Sequence, residues 1–170
     1  NNTELEKIEK YYKKIAIDGA NEYQIEKSKK ESTNINAIIG NPKRLNTIAK
    51  DFIDHYENRV SEGATVKGKA MFVCSNREIA YEFYKNLITL RPEWNEIKTL
   101  EDCDFNKEEK KKIKPIERIK MIMTRDKDDN ETLYNLLGTS DYRKKLDAEF
   151  KNEKSNFKIA IVVDMWLTGF

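Results

Sequence analysis

Apolar residues recur along this chain at two different spacings. Leu5, Ile8, Tyr12 and Ile15 follow helical spacing on a background rich in lysine and glutamate over residues 1–17. Such a stripe needs another surface to cover it. Residues 18–34 are polar and poorly patterned, a weak helix or a connector. Asn41-Pro42 then reads as a helix start, with Asn as cap and Pro at the first helical position. Leu45, Ile48, Ala49, Phe52, Ile53 and Tyr56 predict a helix with a broad apolar face. Glu62-Gly63 through Gly68 is a loop.

Continuous apolar runs begin after that loop. Lys69-Ala70-Met71-Phe72-Val73-Cys74 reads as a buried strand. Ser75 or Asn76 is placed to cap the next helix, whose face is Ile79, Ala80, Phe83, Tyr84, Leu87 and Ile88, and Arg91-Pro92 ends it. Residues 93–118 are polar. A second strand is predicted over Ile119-Lys120-Met121-Ile122-Met123-Thr124, followed by an acidic loop at Asp126–Asp129. A short helix near Glu131–Leu137 stops at Gly138, and Ser140 is placed to cap another with Tyr142, Leu146 and Phe150 on its core face. The third strand is the run from Phe157 to Val163. Strands alternating with amphipathic helices predict an α/β fold, a parallel sheet with right-handed crossovers.

The chain has 170 residues, enough for one domain and an appendage, and 38% hydrophobic content is adequate for one core. Charged residues make up 36%, which points to a heavily solvated surface, yet the net charge is only +2. Charge alone therefore gives no case for nucleic acid. No apolar run is long enough to cross a bilayer, and no signal peptide opens the sequence. Cys74 and Cys103 show no metal spacing and form no disulfide framework, which suits a reduced, cytoplasmic setting. The sequence stops on the turn Trp166-Leu167-Thr168-Gly169-Phe170, so it reads as a piece cut from a longer protein.

In a parallel sheet every strand ends on the same rim. The residues expected there are Ser75, Asn76 and Arg77, then Thr124, Arg125 and Asp126, then Asp164 to Gly169. Hydroxyls, two guanidinium groups and helix N-termini on one edge suit a run of phosphates. The plainer alternative is that Ser75 and Asn76 are caps and that Arg77 and Arg125 are solvated. No Gly-rich phosphate loop with Lys-Ser/Thr is present, and no acidic pair for magnesium follows a strand. Dull readings fit the remaining candidates: a surface His55, a buried structural Cys74, a packing Trp166, a solvated lysine run at 107–114, and a solvated turn at Asp126–Asp129.

The segments Lys69–Ala80, Leu90-Arg91-Pro92-Glu93-Trp94 and Tyr142-Arg143…Phe150-Lys151 resemble the motor subunit of type I restriction enzymes. So does the closing Ile161-Val162-Val163-Asp164-Met165-Trp166-Leu167-Thr168-Gly169-Phe170, the most specific part. The resemblance covers roughly residues 40–170 and matches the start of the second RecA-like helicase domain of superfamily 2, from motif IV to motif V. The division is then a helical lead-in at 1–40 and a partial RecA-like domain at 41–170, truncated before motif VI. The family's first RecA-like domain with its phosphate loop, and its nuclease domain, are not in this sequence.

The resemblance implies half of an ATP-driven translocase on duplex DNA, part of a restriction endonuclease working with modification and specificity subunits. ATP and Mg2+ would serve the parent enzyme, with none held by this chain alone. Ser75, Asn76, Arg77 and Thr168 would face the DNA backbone, and Gly169 the nucleotide across the cleft. Thr124 and Arg125 are added as DNA contacts by rim position alone, and Asp164 is read as structural. No catalytic residue and no metal ligand are expected in this piece, and the partners include the first RecA-like domain of the same chain and no membrane. The rival readings are another superfamily 2 helicase or remodelling enzyme, and a stand-alone flavodoxin-like binding module.

Overall fold

The computed structural model of the chain describes residues 26, 27, 30, 31, 37–63, 68–100, 106, 108 and 113–163. The chain divides into two compact units, Asn1–Asn41 and Pro42–Phe170. In the first, residues 37–39 are helical, and the helix expected over 1–17 lies outside the described residues.

The second unit begins with helix α1, Pro42–Ser61, which buries Leu45, Ala49, Ile53 and Tyr56 along one side. The Tyr56 hydroxyl donates to the Gly68 carbonyl at 2.7 Å, fixing the chain just before strand β1, Ala70–Cys74. Helix α2 runs Arg77–Leu90 and buries Ile79, Ala80, Phe83, Tyr84 and Leu87. Pro92 cannot continue the helix and instead opens a 3-10 turn, Pro92–Asn95, that buries Trp94 edge-on to Tyr56 at 5.5 Å. Trp94 is thus a core residue inside a stretch that reads as polar.

Strand β2 covers Ile119–Ile122, helix α3 Glu131–Leu137, helix α4 Ser140–Lys151 and strand β3 Ile159–Val163. Both later strands are shorter than their apolar runs. β2 ends where its pairing ends, at Ile122 opposite Val162, although Met123 stays buried. β3 starts at Ile159, whose amide donates to the Arg118 carbonyl at 2.9 Å as the first bond of its ladder with β2; the Lys158 amide shares that acceptor at 2.9 Å. The cap of α4 is Thr139, whose hydroxyl accepts from the Tyr142 amide at 3.2 Å, and Ser140 is the first helical residue.

The sheet is parallel, in the order β1-β3-β2. Ala70 and Ile119 both lie opposite Ile159, so the flanking strands are in step. β3 is buried along its whole length. Side chains alternate across the sheet. On one face Phe72 stacks on Phe83 at 4.0 Å, and Phe52 of α1 meets both rings edge-on at 5.5 and 6.0 Å. On the other, Ile122, Ala160 and Val162 form a cluster with Leu146 and Phe157, against which Met71, Tyr142 and Phe150 pack. Lys120 points to this second face and is nearly buried, paired with Glu117 and set 5.9 Å from the Tyr142 ring centre. That partner makes a charge tolerable inside a buried strand.

Candidate nucleic-acid interface

The parallel register puts the carboxyl ends of β1 and β2 on one rim, on either side of β3. β1 ends at Cys74, whose burial pushes its thiol up to about 12, so at neutral pH it is an uncharged core group. Ser75 follows and is exposed. Asn76, in extended backbone, accepts a hydrogen bond at Oδ1 from the Ile79 amide at 2.9 Å and so caps α2.

Arg77 opens α2 and reaches across to the loop that follows β2. Its Nη1 donates to the Thr124 carbonyl, and its Nη2 donates to both carboxylate oxygens of Asp129. The Asp129 side chain is 5% exposed and that of Arg77 23%. Asp129 also closes its own turn: Oδ2 accepts from the Asp126 amide at 2.7 Å, and the Asp129 amide donates to the Asp126 carbonyl at 3.1 Å. Thr124 is exposed. Arg125 bends back onto α3, donating from Nε to the Tyr134 carbonyl at 2.8 Å with its guanidinium 4.2 Å from that ring's centre. Asn130 caps α3 through the Leu133 amide at 2.9 Å.

Of the residues expected on the rim, the described structure therefore gathers Ser75, Asn76, Arg77, Thr124 and Arg125 around the ends of two strands. Thr168, Gly169, Asp164 and Trp166 lie outside the described residues, as does most of the lysine run at 107–114. The Asp126–Asp129 turn is organised by its own amides and by Arg77. Among the described residues, no three His, Cys, Asp or Glu side chains group as metal ligands. His55 is exposed on α1. The sequence reads Asp126–Asp129 as a solvated turn, whereas the Asp129 side chain is buried against Arg77; nothing in an acidic turn signals an arginine far along the chain.

A family model described as type I restriction enzyme subunit R domain 3 matches residues 66–170. The chain is 31% identical over 133 residues to the type I restriction enzyme HindI endonuclease subunit of Haemophilus influenzae, an overlap of 78% of this chain and 11% of that protein. It is 32% identical over 127 residues to a Methanocaldococcus jannaschii protein provisionally named the type I restriction enzyme MjaIXP endonuclease subunit, covering 74% of this chain and 10% of that one. The chain spans about a tenth of the length of the curated relatives it matches. No solved structure matches it.

Proposed function

The chain belongs to the type I restriction enzyme subunit R domain 3 family, and on that premise we propose that it is the second RecA-like half of a DNA-translocating motor. The parent enzyme would couple ATP hydrolysis, with Mg2+, to movement along duplex DNA before cleavage. It would work in the cytoplasm beside modification and specificity subunits. This half would close on a first RecA-like domain elsewhere in the parent and grip the backbone through its strand-end rim. ATP and Mg2+ would be held by the parent's other parts, and this chain's share of the work is binding and orientation.

The observation that carries the reading is the parallel register of β1 and β2 about β3, with exposed Ser75 and Thr124 at the two strand ends. Hydroxyl and main-chain donors contact phosphate without reading bases, which suits a motor that must pass over any sequence. In this reading Ser75 and Thr124 donate to phosphate, while Asn76 and Arg77 frame the start of α2 between them. Arg125 would contribute from the α3 side, and Thr168 and Gly169 from the segment after β3. Among the described residues no helix is long and apolar enough to cross a membrane.

The test uses the full-length subunit assembled with its modification and specificity partners. Ser75→Ala combined with Thr124→Ala should raise the DNA concentration for half-maximal ATP hydrolysis roughly tenfold, as expected for two lost hydrogen bonds. The loss should be equal on DNAs of unrelated sequence. An unchanged DNA requirement overturns the reading.

A further inference from the structure

Arg77 and Asp129 join elements that the sheet keeps apart. β1 and β2 never pair with each other; β3 lies between them. One guanidinium nevertheless ties the start of α2, just past β1, to the loop after β2 at two points, the Thr124 carbonyl and the Asp129 carboxylate. Asp129 is the buried partner, and its second oxygen also takes the Asp126 amide, so the carboxylate fixes the whole turn as well as the arginine. Two of the three guanidinium nitrogens, Nη1 and Nη2, are engaged in this way.

From this geometry we infer that Asp129 is a positioning residue for DNA binding, which holds the Ser75 and Thr124 strand ends at a fixed spacing by clamping Arg77. It rests on the rim reading above but assigns a role to a residue outside that set. A phosphate backbone has a regular repeat, so donors held at fixed separation bind it with less ordering cost than donors on independent loops. Because Asp129 neutralises Arg77, the clamp supplies geometry without adding a strong charge to the grip. A charged carboxylate is required: an amide in its place can accept at one oxygen only and leaves the guanidinium uncompensated.

The test is made on the full-length assembled enzyme with Asp129→Asn and, separately, Arg77→Lys. Asp129→Asn should raise the DNA half-saturation for ATP hydrolysis about tenfold, with the KM for ATP unmoved. Arg77→Lys keeps the charge but cannot reach both acceptors, and should raise it by a smaller factor. The salt dependence of DNA binding should keep its slope in both. Tighter DNA binding by Asp129→Asn with a slope steeper by about 0.9 would show Arg77 to be a restrained phosphate ligand, and overturns the inference. An unchanged half-saturation in both variants overturns it as well. If Asp129→Asn weakens folding, seen by circular dichroism, Arg77→Lys decides alone. If the Ser75→Ala/Thr124→Ala pair weakens DNA binding while these variants do not, only the positioning role fails; if that pair has no effect, the rim reading itself fails.

Discussion

Glu57 of α1 and Arg91 at the end of α2 form a two-pronged ion pair, with Nε to Oε1 at 2.7 Å and Nη2 to Oε2 at 2.8 Å. The Arg91 amide closes α2 on the Leu87 carbonyl at 2.8 Å, so one residue both ends the helix and ties it to its neighbour. The hydrogen bond from Arg91 holds the Glu57 carboxyl below its ordinary value, against a smaller opposing effect of burial. A carboxyl whose folded value is depressed stabilises the fold above its unfolded value, and that contribution fades as the pH falls through the folded one.

Glu57→Gln should therefore cost stability at neutral pH and little in acid. Both partners are substantially exposed, which limits the loss to about 1 kcal/mol or less. Urea titrations of wild type and variant at pH 7 and pH 3 check this; equal midpoint gaps at both would show that charge is not the cause.

The turn before α4 gives a sharper contrast. Thr139→Ala removes the cap bond to Tyr142 and should cost about 1 kcal/mol, whereas Ser140→Ala should cost only a few tenths. Gly138 stands at φ +62°, and a Cβ there would lie 2.2 Å from Cδ1 of Tyr142. Gly138→Ala should be worse than either. In thermal melts the loss should be smallest for Ser140→Ala, larger for Thr139→Ala and largest for Gly138→Ala.

Phe83 is fully buried between Phe72 and Phe52. Phe83→Ala should lower unfolding free energy by about 3–5 kcal/mol, and Phe83→Leu by distinctly less, because the cavity is smaller. Denaturant titration measures both. Similar values for the two would mean that ring contacts outweigh volume.

Lys69 donates to the carbonyls of Asn152 at 3.0 Å and Phe157 at 2.8 Å. Burial, and then the nearby Lys158, bring it down to about 8, while Glu149 works the other way. Between that value and the ordinary lysine range the unfolded chain binds the extra proton, so this group's contribution to stability rises with pH across the window. The buried tyrosines and Cys74 act oppositely at the alkaline end. The measurement is therefore a difference: wild type should gain on Lys69→Met as the pH is raised from 8 to about 10. A flat difference would place the Lys69 ammonium in water.

Much of the fold was legible because the apolar runs are continuous and the helical faces regular. Leu45, Ala49, Ile53 and Tyr56 share one face at helical spacing and are buried together. Strand ends were less legible, since apolar character continues past pairing at Met123 and precedes it at Phe157. Thr139 and Ser140 are neighbouring hydroxyls, and only the helix register tells which one caps. Trp94 was hidden because a single aromatic carries no period. The rim was legible as a location, since parallel strands share a direction. The Arg77–Asp129 clamp was not, because it joins two loops through tertiary geometry that no local pattern encodes.

The order β1-β3-β2 also sets a schedule for assembly. The middle strand is the last of the three to emerge during synthesis, and among the described residues each of the others has its ladder partner there. Nascent chains released before Ile159 would carry two orphaned apolar ribbons. Such intermediates invite capture by chaperones or clumping, and these three strands can join only when translation has passed Val163.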